Sequence, residues 1–77
     1  MMPKPGAIVR VSWRDAVCDH DERNDNFTDP PLVRTYGRLL EENAEWIRVA
    51  GEEVGAGGYR CVTTIPQAIV ENVERLA

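Results

Sequence analysis

Apolar and polar residues alternate along residues 7–14, where Val9, Val11 and Trp13 are separated by arginine and serine. A period of two is typical of a β-strand that buries one face, so we predict a first strand here. The next stretch, residues 19–31, is rich in acids and asparagine and ends in two prolines. That composition disfavours a packed regular element and predicts a long acidic surface loop.

Residues 36–50 fit either a helix or a hairpin. A helix would have to contain Gly37, at a cost of about 1 kcal/mol relative to alanine. It would also carry Ile47 and Val49, which do not share its apolar face. A hairpin accounts for these residues better, because residues 41–44 are polar and join two segments of strand composition. We therefore predict a second and a third strand with a loop of about four residues between them.

The last third of the chain contains one further segment of strand composition, followed by a C-terminal segment that fits a strand or a short helix. Residues 51–58 contain four glycines and are expected to be a flexible connection, whereas residues 59–65 again have strand composition. Pro66 is expected to begin a single helical turn. Residues 70–76 then form either a fifth strand or a short C-terminal helix. The pattern predicts an all-β fold: a small five-stranded SH3-like or Sm-like barrel with a one-turn helix before the fifth strand.

A chain of 77 residues predicts one domain over residues 1–77, with an N-terminal tail at residues 1–6. A core of this size rarely supplies more than about 3–5 kcal/mol, so small domains often rely on self-association. Cys18 and Cys61 are the only cysteines, and we expect buried free thiols rather than a disulfide. Because no signal peptide or membrane-length apolar run is recognisable, a cytoplasmic location without membrane contact is expected.

The charge balance bears on the class of partner. Nine basic and thirteen acidic residues leave a net charge of -4. This balance disfavours a protein that binds nucleic-acid backbones, because such affinity is mostly electrostatic.

No set of residues predicts catalysis, a metal or a cofactor. His20 lies near Cys18 in the acidic loop, but a catalytic dyad needs a fixed geometry. The same loop lacks the glycine of a calcium-binding template. The acid pairs at residues 41–42 and 52–53 are expected to stay hydrated in turns. The glycines of residues 55–58 lack the ending of a phosphate loop. We therefore predict a protein that is not an enzyme.

The second half of the chain resembles the Sm-like family of small barrels. The matching positions fall in order at Gly37, Leu39, Asn43, Ile47, Val49 and residues 65–69. Asn43 stands where that family usually carries an aspartate, and Pro66 and Gln67 stand where it places groups that touch RNA. The resemblance implies an oligomer that binds RNA, DNA or a small nucleotide.

The chain also resembles, in overall pattern, small proteins common in bacteriophages and prophages. The pattern rests on Trp13, Asp15, Ala16, Gly37, Ile65 and Pro66, in that order. This resemblance implies no enzymatic activity. It implies an accessory protein of a class whose members often bind and inhibit host machinery.

Arginine and aromatic residues are interleaved along the predicted strands. Strand alternation puts Arg34, Tyr36 and Arg38 on one side of the second strand. It likewise puts Trp46 and Arg48 on one side of the third strand, and Arg10 and Arg14 on one side of the first. Such a face can stack bases or grip an acidic protein surface. Alternatively, it is an ordinary polar sheet face neutralised by Glu45, Glu71 and Glu74. The tentative binding residues are Arg34, Tyr36, Arg38, Trp46 and Arg48.

The leading hypothesis is a non-enzymatic, phage-type binding module that self-associates in the host cytoplasm. It would bind or inhibit a host protein, for example a component of host defence or transcription. The alternative is an Sm-like oligomer that binds RNA, DNA or a small nucleotide, although the net charge speaks against it. A small enzyme ranks third, and a structural role in a virion remains open.

Overall fold

A computed structural model describes residues 3–15 and 30–77 of the chain. These residues form an all-β fold with five strands and one 3-10 turn. The strands are β1 (Ile8–Arg14), β2 (Leu32–Glu42), β3 (Trp46–Val54), β4 (Gly58–Pro66) and β5 (Val70–Arg75). The 3-10 turn, η1 (Gln67–Ile69), lies between β4 and β5 and begins directly after Pro66.

The strands form one antiparallel sheet in the order β4-β3-β2-β1-β5. Within the described residues β4 and β5 are the two edges, so this sheet is not closed by backbone pairing. The predicted five strands, the turn before the fifth strand and the hairpin over residues 36–50 are confirmed. The C-terminal segment is a strand rather than a helix. The closed SH3-like or Sm-like barrel stays a prediction.

The core lies on one face of the sheet and consists of small and medium aliphatic side chains. Its fully buried members are Val9, Val11, Leu39, Ile47, Val49 and Ile65, with Ala7 beside them. Trp13, Ile69, Val70 and Val73 are partly buried and pack against this cluster. The alternation of β1 follows from this arrangement, because side chains of successive residues point to opposite faces of a strand.

Gly37 allows β2 to lie close to β3. A Cβ atom at this position would be 2.1 Å from the backbone oxygen of Ala50, a distance that no real side chain tolerates. The first part of β2, up to Arg38, pairs with β1, and the part from Arg38 onward pairs with β3. Gly37 therefore sits where the strand changes partners.

Two bulges adjust the register of the sheet. In β2, Leu39 pairs with Val49 and Glu41 pairs with Arg48, so Leu40 is the extra residue. In β5, a second shift occurs in the pairing with β1 after Ser12. A bulge bends its strand and redirects the side chains that follow it.

The hairpin of β3 and β4 extends beyond the core. All residues from 51 to 62, called here the β3–β4 arm, are exposed. The predicted flexible connection over residues 51–58 is therefore wrong for most of its length, since only residues 55–57 lie between the strands. Gly55 and Gly57 have φ values of 55° and 98°, which permit so short a turn because glycine has no Cβ. Cross-strand pairing, rather than local composition, extends the strands.

The turn between β2 and β3 is fixed by the side chain of Asn43. Its Oδ1 accepts hydrogen bonds from the backbone nitrogens of Glu45, at 2.8 Å, and Trp46, at 2.9 Å. Side-chain acceptors of this kind stabilise tight turns. The Nε2 of Gln67 donates to the backbone oxygen of Asn43 at 3.0 Å. This bond ties η1 to the turn.

Several sequence predictions concern residues outside the described part of the chain. Most of the acidic loop at residues 19–31 falls there, as do Cys18 and His20. Cys61 is described, and the expectation that it is buried is wrong: it is an exposed free thiol in the β3–β4 arm. Among the described residues, no helix is long and apolar enough to cross a membrane.

Candidate binding face

The outer face of the sheet, opposite the core, carries the predicted arginine and aromatic residues. Arg10 of β1 lies directly opposite Tyr36 of β2, and Arg38 lies opposite Ile8. Directly opposed residues of an antiparallel pair share a face. The structure therefore brings Tyr36 and Arg38 together with Arg10, and it leaves more than half of the Tyr36 side chain exposed, at 55%. Arg34 lies in the same row of β2 and is also exposed.

Trp46 and Arg48 form a stacked pair on β3. The guanidinium carbon of Arg48 lies 4.8 Å from the centre of the Trp46 ring, within the range of a cation–π contact. Trp46 is partly buried, and its indole nitrogen is buried with no hydrogen-bond partner among the described residues. The two side chains lie on the same side of β3, as alternation along the strand places them, and whether they bind a partner stays a prediction.

Ion pairs neutralise most arginines of this face. Among the described residues, each pair joins neighbouring strands: Arg10–Glu74, Arg14–Glu71, Arg38–Glu53, Arg48–Glu41 and Arg60–Glu52. The Arg14–Glu71 distance is 2.8 Å and the Arg48–Glu41 distance is 2.9 Å. The side chains involved are about one third exposed or more, so these pairs contribute little to stability. They do remove the excess positive charge that a polyanion would need.

The pairing of glutamates with arginines differs in part from the sequence interpretation. Glu71 and Glu74 neutralise arginines of β1, as that interpretation supposed. The carboxylate of Glu45 forms no ion pair within the described residues. Glu41 takes this role because the bulge at Leu40 brings it opposite Arg48.

The acid pairs expected to stay hydrated in turns lie in strands instead. Glu41 is at the end of β2, whereas Glu52 and Glu53 belong to β3. All three carboxylates form ion pairs across strands. Composition alone could not show this, because only the register places an arginine beside each of them.

Arg10 lies opposite Tyr36 of β2 on one side and opposite Glu74 of β5 on the other. The hydroxyl of Tyr36, as hydrogen-bond partner, raises the pKa of Arg10, and the nearby carboxylate of Glu74 raises it further. Arginine is charged at every physiological pH, so these neighbours do not change its charge state.

Two adjoining depressions cross the β1–β2–β3 part of the molecule and share Ile8 and Arg38. The larger, of about 530 Å³, lies between the N-terminal segment and the end of β5 and also contacts Lys4 and Arg75. The smaller, of about 240 Å³, reaches the base of the β3–β4 arm at Glu52 and Glu53. We call the two together the Arg38 groove. Sequence patterns could not indicate it, because its residues come from four separate segments.

Arg38 is held firmly at the centre of this groove. Its Nη1 donates to the backbone oxygen of Gly6 at 2.5 Å, while its Nε contacts Glu53. The N-terminal segment is fixed by main-chain bonds as well: the nitrogen of Gly6 donates to Leu39 at 2.7 Å, and that of Leu39 donates to Ala7 at 2.8 Å. Arg38 therefore links the N-terminal segment to the base of the arm.

Groups that could hold a metal ion are not found in residues 3–15 and 30–77. The acidic loop, which was weighed above as a calcium site, lies almost entirely outside this range, as do Cys18 and His20, which were weighed as a catalytic dyad.

Comparisons with known proteins gave no match: no protein-family model, curated protein or solved structure corresponds to the chain.

Proposed function

We propose that the chain is a non-enzymatic, phage-type binding module that self-associates and binds a host protein, acting as an inhibitor in an anti-defence or host-takeover role. The observation that carries this proposal is the outer face, where exposed Tyr36 and the stacked Trp46–Arg48 pair lie among arginines that carboxylates neutralise. Aromatic and arginine side chains are enriched in the energetically important parts of protein interfaces. The proposed site of action is the host cytoplasm.

The open edges of the sheet support self-association. Within residues 3–15 and 30–77, β4 pairs with β3 alone and β5 pairs with β1 alone, and edge strands of this kind readily accept another strand. Light scattering is expected to give a mass of at least twice the 8.7 kDa of one chain. A monomer at every concentration tested would exclude self-association as part of the function.

A pull-down with a matched variant tests partner binding. Tagged protein is expected to retain one host protein in near-stoichiometric amount from a bacterial lysate. Replacing Tyr36 by serine should weaken this capture by about tenfold, because aromatic side chains are frequent interface hot spots. A Tyr59→Ser variant is the control, since Tyr59 is similarly exposed but lies in the β3–β4 arm. Equal capture by the wild type and the Tyr36→Ser variant would contradict the proposed face.

The alternative is an Sm-like oligomer that binds RNA, DNA or a small nucleotide. Its support is the strand layout, in which a one-turn helix precedes a fifth strand that pairs with β1. The ion pairs of Arg38 and Arg48 oppose it, because they occupy the guanidinium groups that phosphate would need. Titration with oligonucleotides distinguishes the two hypotheses. Oligonucleotide binding that weakens on Arg48→Gln substitution would favour the Sm-like alternative over protein binding.

A further inference from the structure

The Arg38 groove has an uneven distribution of charge. Lys4 and Arg75 contact its larger depression, whereas Glu52 and Glu53 lie at the opposite end. Arg38 lies between the two ends and belongs to both depressions. One end of the groove therefore has cations without an ion pair among the described residues, whereas the carboxylates at the other end are paired with Arg38 and Arg60.

The positive end has cations that the described residues do not neutralise. Both Lys4 and Arg75 are exposed, and neither forms an ion pair with a carboxylate in residues 3–15 and 30–77. This contrasts with the sheet arginines of the outer face, most of which are paired. The remaining surface of the depression includes Pro5, Ala7 and Ile8, which offer apolar contacts.

We propose that the Arg38 groove binds an extended, acidic segment of a partner protein, with its carboxylates at the end formed by Lys4 and Arg75. The inference rests on the proposed protein-binding function and gives that function a second contact site. Arginine and lysine donors form their strongest hydrogen bonds with carboxylate and phosphate oxygens. The larger depression, of about 530 Å³, is open to solvent, so side chains of a segment that lies across it can enter it.

The charge pattern favours a polypeptide over a nucleic acid. Lys4 and Arg75 are the cations of the groove lining that lack an ion pair within the described residues. A nucleic acid that follows the groove past Arg38 would meet charges that are already paired, because Glu53 pairs with Arg38 and Glu52 pairs with Arg60. A peptide can carry its acids at one end only and place neutral residues beside these ion pairs.

NMR titration of the full chain tests the inference directly. The probes are a capped peptide of glutamate, leucine and serine, the same peptide with lysine in place of glutamate, adenosine monophosphate, and single-stranded oligothymidylate. The acidic peptide is expected to bind with a Kd below about 1 mM. It should shift the amide signals of Ile8, Arg38 and Arg75, whereas the lysine peptide should leave them unchanged.

Two double variants with the same change in net charge provide the control. Lys4→Gln/Arg75→Gln is expected to raise the Kd of the acidic peptide by about tenfold, since it removes the two groove cations that have no carboxylate partner among the described residues. Arg14→Gln/Asn72→Asp makes the same change in net charge at two exposed positions that line neither depression, and it should change the Kd by less than about twofold, because solvent and salt screen distant charges. Equal weakening in both variants would show that net charge alone attracts the peptide.

Other results would also overturn the inference. These are no binding of the acidic peptide, shifts confined to another surface, or tighter binding of adenosine monophosphate or oligothymidylate than of the peptide. The last result would make the groove a phosphate site.

The pull-down separates failure of this inference from failure of the proposed function. If the Lys4→Gln/Arg75→Gln variant no longer binds the peptide but still captures the host partner in full, the proposed protein-binding function is supported, and the partner does not bind at the groove. If the acidic peptide binds at the groove while no host protein is captured, the inference about the groove is supported and the proposed function is contradicted.

Discussion

At position 37 the absence of one methyl group determines how closely β2 can approach β3. The backbone oxygen of Ala50 occupies the space that a Cβ of residue 37 would need. In the sequence, Gly37 counts against a helix and falls in place in both family resemblances. Neither observation shows the steric reason for glycine, because that reason lies on a strand more than ten residues away.

We predict that Gly37→Ala lowers the free energy of unfolding by more than about 2 kcal/mol, because overpacking against backbone cannot be relieved by a rotamer change. Urea denaturation measures the effect. Gly51→Ala is the matched control: its Cβ would lie 3.4 Å from the Cβ of Cys61, an ordinary contact. This control should change stability by less than about 0.5 kcal/mol. Equal stability of the two variants would refute the steric role of Gly37.

At the scale of elements, the strands that the sequence predicts best are those with a buried face. β1 shows its alternation clearly because Val9 and Val11 are fully buried and their neighbours are not. The β3–β4 arm shows no such contrast, since all its residues are exposed. Local composition indicates a strand from residue 59 onward but not over residues 51–54, which are strand because of cross-strand pairing between Glu53 and Tyr59 and between their neighbours.

We predict that the arm opens locally while the rest of the sheet stays folded. A two-stranded ribbon without a packed face is marginally stable, so hydrogen exchange at Glu53 and Tyr59 should be at least about tenfold faster than at Val49 and Ile65. The measurement is amide exchange by NMR in dilute solution. Protection of the arm equal to that of the core would show that another chain covers it.

The whole molecule depends on a thin core and on a surface of paired charges. In the part of the chain that the structure describes, the fully buried side chains are a small set of aliphatic groups, with Leu39 among the largest. A domain with so little buried surface has a small margin of stability. The ion pairs of the outer face do not compensate, because they are exposed. They instead determine how charge is distributed over the surface that a partner would contact.

We predict that Leu39→Ala lowers the free energy of unfolding by about 2–5 kcal/mol, comparable with the whole stability of so small a domain. Most of the variant should therefore be unfolded at room temperature, as far-UV circular dichroism would show. Leu76→Ala is the matched control, since Leu76 is 46% exposed, and it should cost less than about 1 kcal/mol. A folded Leu39→Ala variant of wild-type stability would mean that the stabilising contacts lie elsewhere.

The sequence by itself determined the all-β class, the number and order of the strands, and the turn after Pro66. These features follow from local signals: period-two alternation, β-branched composition and proline. It also placed Arg34, Tyr36 and Arg38 on one face of β2, because alternation fixes the face once a strand is given.

Only the tertiary structure decided which charges meet and where the surface is concave. The partnership of Glu41 with Arg48 depends on a bulge, and that of Glu53 with Arg38 depends on the register of β2 and β3. The Arg38 groove depends on bringing the N-terminal segment and the end of β5 to the same place. Such contacts join residues that are far apart in the chain. They form, and contribute to stability, only when the folded sheet brings those residues together.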